Sequence, residues 1–103
     1  MSNMQIFRET VEKHLETLQL YVPIVARVHG AEHPEFHEVK KQYDAIFEKL
    51  NTAGDDAPDL PDLKDEFVAL RAVTQGYKVP ADTCESYEAV YAMLAELDQA
   101  YSR

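Results

Sequence analysis

Apolar residues recur along this chain at steps of three and four positions, the spacing that places them on one face of an α-helix. Such segments cover about residues 3–28, 34–51, 60–75 and 83–101, with polar or turn-forming residues between them. No segment shows the alternation of apolar and polar residues that is typical of a β-strand. The pattern therefore predicts an all-α fold, an antiparallel up-down-up-down four-helix bundle with short connections.

Each predicted helix carries an apolar stripe that we expect to face a common core, because the opposite face is charged. In chain order, the four stripes consist of Ile6, Phe7, Val11, Leu15, Leu18, Val22, Val25 and Val28; Phe36, Val39, Tyr43, Ile46 and Leu50; Leu60, Leu63, Phe67, Leu70 and Val73; and Tyr87, Val90, Tyr91, Leu94, Leu97 and Tyr101.

Particular residues mark where these helices should bend, begin or end. Pro23 lacks an amide hydrogen and should bend or break the first helix about one turn earlier. Gly30 tolerates the left-handed backbone conformation that commonly ends a helix. Asp59 is a suitable cap for the third helix, and Asp82 with Glu85 has the spacing of a capping box that would start the fourth.

The composition narrows the class of protein. A length of 103 residues suits one domain, residues 1–103, with one core. No apolar run approaches the roughly 20 residues needed to span a bilayer. The N-terminal sequence MSNMQIFRETVEKHLE has acids where a targeting peptide would have bases. Because the single Cys84 also fits a reducing compartment, we expect a cytoplasmic protein.

The net charge of −9 bears on the choice of partners. A field of that sign repels the phosphates of nucleic acids and the anionic heads of lipids. We therefore expect neither a nucleic-acid nor a membrane partner, and we expect a protein partner or a homo-oligomer.

The most unusual stretch is VARVHGAEHPEFHEV, residues 25–39, which holds His29, His33 and His37 at intervals of four. Two histidines at this interval on one helix can bind one metal ion. Pro34, however, places His33 at or before the start of the second helix. Gly30 leaves His29 on the preceding helix. The stretch is therefore interpreted as a corner whose histidines pack and cap, and a metal site is the alternative.

Two further side chains are candidates for chemistry. His14 lies near the apolar face of the first helix, where a boundary histidine is the main interpretation and metal ligation the alternative. Cys84 is expected in the first turn of the fourth helix, a position that can favour a reactive thiol. With no histidine near it in sequence, we interpret Cys84 as a small buried residue. The carboxylates lie on polar faces, so no catalytic pair is predicted.

Two motifs resemble one known family. VARVHGAEHPEFHEV resembles the segment between the first two helices of the hemerythrin-like domain of the iron–sulfur cluster repair di-iron proteins, the RIC family. LRAVTQGYKVPADTCESYEAVYAMLAELDQAY is similar to the end of that domain's third helix, its Y-x-x-P-x-x-x-C-x-x-Y/W linker and its fourth helix. Together they cover about half of the chain in the family's order. The resemblance implies a hemerythrin-like bundle in which the VHG…HP histidines are corner residues.

The RIC domain holds two iron ions with histidines and glutamates from all four helices, and the resemblance implies where these ligands would fall here. The histidine of the first helix would fall near Phe7 or Arg8. His14 would match it only after a shift of about two turns. This helix therefore lacks the expected ligand.

The remaining ligand positions are also occupied by other residue types. The histidine and glutamate of the second helix would fall near Ala53 and Ala57, in the expected loop, and the histidine of the third helix near Leu60. The ligands of the fourth helix would fall just beyond Arg103. The resemblance thus keeps the scaffold and loses the ligands, so no cofactor is expected.

Two functional hypotheses follow. In the first, the chain is a non-enzymatic helical bundle that acts through protein–protein interaction, in a process linked to iron–sulfur clusters or nitrosative stress. In the second, His29, His33 and His37 bind a metal together with His14, in an iron–sulfur cluster repair role.

Overall fold

The computed structural model describes residues 3–53, 62–81 and 83–102. It contains four helices, and the described residues include no β-strand. None of these helices combines the length and the hydrophobicity that crossing a membrane requires. In chain order the helices are α1, Asn3–His29; α2, Glu35–Ala53; α3, Lys64–Thr74; and α4, Glu85–Ser102.

The four helices pack as an antiparallel bundle that measures 41 × 21 × 21 Å. Helix α1 lies against α4 and α2, and α2 lies against α3. The opposite direction of α1 and α4 is visible in their contacts, since Phe7 meets Tyr101 near one end. His29 meets Cys84 near the other end. The predicted fold class and topology are confirmed.

The core consists largely of the predicted stripes. In α1, Phe7, Leu18, Val22 and Val25 are buried, but Val28 is 61% exposed, so its assignment to the stripe was wrong. Leu60 lies outside the described residues. Half-buried members complete the edge of the core. The largest fully buried side chains include Phe7, Phe36, Phe67, Tyr87, Tyr91, Leu18, Ile46, Leu63, Leu70, Leu94 and Leu97.

Pro23 does not break α1, so of the bend or break expected about one turn earlier, the break was wrong. The helix runs without interruption through Pro23 to His29. Proline removes one backbone hydrogen bond, the one that would reach the carbonyl of Gln19. Val22 and Val25 are buried on either side. Their packing against the core outweighs the loss of that single bond.

Helices α3 and α4 begin later than predicted. The Asp62 side chain accepts a hydrogen bond from the Lys64 amide at 3.1 Å, so the chain turns into α3 at Lys64 and not near residue 60. Helix α4 begins at Glu85, with the Cys84 carbonyl accepting the first helical bond from Glu88 at 3.1 Å. The predicted caps, Asp59 and Asp82, lie outside the described residues.

A buried carboxylate ties the end of α3 to α4. Asp98 accepts two hydrogen bonds from Arg71, at 2.7 and 3.0 Å, and a third from the Tyr77 hydroxyl at 2.7 Å. Tyr77 reaches Asp98 from a turn in which Gln75, Gly76 and Tyr77 all have positive φ angles. Burial and the bond to Asp98 raise the pKa of Tyr77, so this hydroxyl stays protonated and continues to donate.

Candidate functional site

The histidine-rich stretch forms a tight corner between α1 and α2, as its proline and glycine predicted. The amide of His33 donates to the His29 carbonyl at 2.7 Å, which turns the chain directly after α1 ends. The amide of Phe36 then donates to the His33 carbonyl at 3.0 Å, so His33 stands just before α2. The three histidine side chains therefore leave the corner from different backbone environments.

His29 points to α4. Its Nε2 atom lies 3.1 Å from the Sγ atom of Cys84, which is within hydrogen-bonding distance. The His29 ring also meets the Tyr87 ring edge-on, with 5.6 Å between the ring centroids. Cys84 is exposed, so its interpretation as a small buried residue was wrong. The 55 positions between the two residues hid this contact from sequence reasoning.

His33 is held by the second helix. Its Nδ1 atom donates to the Glu35 carboxylate at 2.9 Å. The ring packs edge-on against Tyr87, again with 5.6 Å between ring centroids. The Tyr87 hydroxyl in turn lies 3.2 Å from the Tyr91 hydroxyl. Burial raises the pKa of Tyr91, so the Tyr91 hydroxyl remains protonated.

His37 is exposed and lies over the glycine of the corner. A Cβ atom added to Gly30 would overlap the Nε2 atom of His37 and the carbonyl oxygen of Ala26. Gly30 is not among the residues with a positive φ angle, so the predicted left-handed conformation was wrong. Glycine is needed at this position because the Ala26 carbonyl oxygen and the His37 ring leave no room for a Cβ atom. The three histidines thus make three separate contacts, with Cys84, with Glu35 and over Gly30.

The fourth histidine lies elsewhere in the bundle. His14 is 15 positions before His29 in the same helix, a rise of roughly 22 Å. Its Nε2 atom donates to Glu96 at 2.6 Å, and this bond holds the pKa of the Glu96 carboxyl below its usual value. Within residues 3–53, 62–81 and 83–102, no three His, Cys, Asp or Glu side chains are arranged to hold a metal ion.

Two of the positions implied for a di-iron centre, Phe7 and Ala53, carry apolar side chains. Phe7 is fully buried, and its ring meets Phe67 and Tyr101 edge-on at centroid distances of 6.2 and 5.4 Å. Ala53 ends α2 and does not lie in a loop as expected. Ala57 and Leu60 lie outside the described residues. Phe7 and Ala53 do not fit an iron site, because their side chains offer no donor atom. Arg8, the other position implied on α1, does not fit either, because its guanidinium is cationic and has no free lone pair for a metal.

A cleft of about 560 Å³ lies beside the corner. It is lined by Glu35, by Tyr91 and by residues 73–75 and 78–81. No histidine lines it. The cleft and the corner histidines are therefore separate features that share only Glu35.

One surface of α1 is apolar and uncovered. Leu20, Ile24 and Val28 are 59%, 36% and 61% exposed. Their spacing of four residues places them in one row about 12 Å long. We call this exposed row the α1 apolar stripe, and it is distinct from the core-facing residues of the same helix. Val68 on α3, 47% exposed, is a separate exposed apolar residue. Sequence reasoning missed the stripe because only Val28 belonged to a predicted apolar face.

Compared with protein-family models, with curated proteins and with solved structures, this chain matches none. The resemblance to the RIC family is therefore carried by the two sequence motifs alone. The four-helix bundle itself is shown by the structure.

Proposed function

We propose that this chain is a non-enzymatic interaction protein, a hemerythrin-like bundle without di-iron ligands that binds a protein partner through the α1 apolar stripe. The observation that carries the proposal is the exposure of Leu20, Ile24 and Val28 in a single row. Uncovered apolar rows on small proteins commonly mark sites of protein interaction. Residues at intervals of four match the way in which a second amphipathic helix docks.

Charge complementarity defines the partner further. The chain has 19 acidic residues and 10 Lys and Arg residues, which gives a net charge of −9. A second copy would bring an equal negative charge to the interface. The favoured occupant is therefore an amphipathic helix of another protein, apolar along one face and flanked by Lys and Arg. Self-association through the stripe is the competing outcome.

The cellular setting of the proposal comes from the resemblance. A relative of the RIC domain without iron ligands would serve iron–sulfur cluster or nitrosative-stress handling by binding a component of that process in the cytoplasm. Iron analysis of protein expressed with iron supplied tests the ligand loss. We expect far less than one iron per chain, and near-stoichiometric iron with a di-iron absorption band would contradict the proposal.

Binding through the stripe is tested with two synthetic peptides. Both are amphipathic helices with a leucine face, one flanked by Lys and the other by Glu. Isothermal titration should detect binding of the Lys-flanked peptide alone. Replacing Leu20 and Val28 by Ser should weaken binding about tenfold or more, since each substitution removes a buried apolar contact.

Val68→Ser is the control, because it removes another exposed apolar side chain, 47% exposed, that lies on α3 and outside the stripe. It should leave the affinity unchanged. Equal weakening by Val68→Ser would show that the peptide does not recognise the stripe. The chain could also form a concentration-dependent dimer in solution that Leu20→Ser and Val28→Ser abolish. This result would show that the stripe binds a second copy of the chain and not a helix of another protein.

A further inference from the structure

The contact between His29 and Cys84 brings together a proton acceptor and a nucleophile that are 55 positions apart in the sequence. His29 is the last residue of α1, and Cys84 directly precedes α4. The Nε2 atom of His29 lies 3.1 Å from the thiol sulfur of Cys84. An imidazole at this distance, in the tautomer with Nε2 unprotonated, can accept the thiol proton. Paired thiol and imidazole groups are the arrangement that activates a sulfur nucleophile.

Three further features favour reaction at this sulfur. Cys84 is exposed, so a small molecule can reach it. The Cys84 carbonyl accepts the first helical bond of α4, which places the residue at the positive end of the helix dipole. Tyr87 packs edge-on against the His29 ring and limits its rotation. The pair is therefore held in place from both helices.

We propose that Cys84 and His29 form a thiol-modification site that reacts with small disulfides. His29 accepts the thiol proton while Sγ attacks one sulfur of the disulfide. The S–S bond of the small molecule breaks, and its second sulfur leaves as a thiolate that takes up a proton. Cys84 is thereby oxidised to a mixed disulfide with one half of the reagent, and the other half is reduced and released as a free thiol.

The surrounding charge selects the class of disulfide. Glu85 and Glu88 lie in the first turn of α4, directly after the cysteine. The whole chain carries a net charge of −9. Both features repel anionic reagents and attract cationic ones. The site should therefore take cationic and neutral small disulfides in preference to acidic ones.

The rate of mixed-disulfide formation with cystamine, followed by intact mass spectrometry, tests the site. Cys84 is the only cysteine, so each adduct reports on one position. His29→Gln should slow the reaction about tenfold, because it removes the proton acceptor. His33→Gln is the matched control. His33 meets the same Tyr87 ring at the same 5.6 Å centroid distance, but its Nδ1 donates to Glu35. It should leave the rate unchanged.

Circular dichroism of each variant checks that the bundle is folded. If His29→Gln fails to fold, the test uses the wild-type chain alone. Its rate of reaction with cystamine is then measured in the native state and in urea, and the native chain should react faster. Equal rates in wild type and His29→Gln, or a native rate no higher than the unfolded one, would overturn the proposal. A disulfide-linked dimer in place of the cystamine adduct would also overturn it.

A second series tests the selectivity. Cystamine should react fastest, 2-hydroxyethyl disulfide next and the dianionic 3,3′-dithiodipropionate slowest, and high salt should bring the three rates together. The reverse order would refute the role of Glu85 and Glu88.

Discussion

Arg71 of α3 donates two hydrogen bonds to Asp98 of α4, and the carboxylate is almost completely enclosed. The Asp98 side chain is 7% exposed, whereas that of Arg71 is 48% exposed. The half-solvated guanidinium of Arg71 thus compensates charge on Asp98, and the Tyr77 hydroxyl donates a further hydrogen bond to it. The contact fastens α3 to α4 close to the turn that follows α3.

Removing this carboxylate should weaken the bundle. Asp98→Ala leaves Arg71 and the buried Tyr77 hydroxyl without their acceptor, so the free energy of unfolding should fall by about 2 kcal/mol. Urea unfolding followed by circular dichroism measures the change. Asp44→Ala is the control, since Asp44 pairs with Lys40 at the same 2.7 Å but on the surface. Its effect should stay below about 0.5 kcal/mol, and equal effects would refute the distinction.

The bond between His14 and Glu96 should make stability depend on pH. The hydrogen bond from His14 lowers the pKa of Glu96 below 4.5 despite partial desolvation, with help from the charges of His14 and Lys13. A carboxyl whose pKa is lower in the folded state stabilises the fold above pH 4.5, and this contribution is lost as the pH falls through the lowered pKa.

Unfolding measured from pH 4.5 downwards should therefore show a steeper loss of stability in wild type than in Glu96→Gln. The difference should be less than about 1 kcal/mol, because the Glu96 side chain is half exposed. Glu16→Gln, at an exposed position of α1, should follow the wild-type curve. Parallel curves for wild type and Glu96→Gln would contradict the assignment.

Two glycines should resist replacement for different reasons. Gly30→Ala places a methyl group against the Ala26 carbonyl and the His37 ring and should cost about 1–3 kcal/mol. Gly76→Ala meets no atom within 4 Å but has a φ angle of +77°, so it should cost about 1 kcal/mol through backbone strain.

The variants Gly30→Asn and Gly76→Asn separate the two causes by urea unfolding. Asparagine tolerates a positive φ angle, so it should recover part of the loss at residue 76. At residue 30 it should be as harmful as alanine. Recovery at both positions would indicate that strain, and not contact, determines the choice of Gly30.

If His33 and His37 bound a metal ion, replacing them would weaken metal binding. The geometry of the corner does not favour that result. His33 is bonded to Glu35, and His37 lies over Gly30. We expect His33→Ala and His37→Ala, alone or together, to leave the affinity for iron(II) and zinc(II) unchanged in isothermal titration. A tenfold loss of affinity in the double variant would favour the metal site instead.

Local rules predicted the helices well and the contacts between helices poorly. The three-and-four spacing identified all four helices because each needs an apolar face, as Phe36, Val39 and Ile46 show. Helix starts were less accurate, since α3 begins at Lys64, beyond Asp62, and not near residue 60. Sequence patterns locate the ends of helices less well than the helices themselves.

The side-chain pairs at the candidate site depended on tertiary structure. His29 and Cys84 are 55 positions apart in sequence, and the antiparallel packing of α1 and α4 brings them together. The same applies to Val28, which lies near the end of α1 and is exposed although the helical period placed it on the core-facing side. A helical period predicts a face, but the neighbouring helices decide how wide that face is.

Pro23 has a consequence for motion. Pro23 has no amide hydrogen to donate to the Gln19 carbonyl, so the turn between Gln19 and Pro23 has one backbone hydrogen bond fewer than a regular helical turn. His14 and His29 attach α1 to α4 on either side of it. Leu20 and Ile24 lie beside this turn, so we expect the proposed binding surface to bend more easily here than elsewhere along α1. The contacts of His14 and His29 would hold the flanking parts of the helix in place while a partner docks.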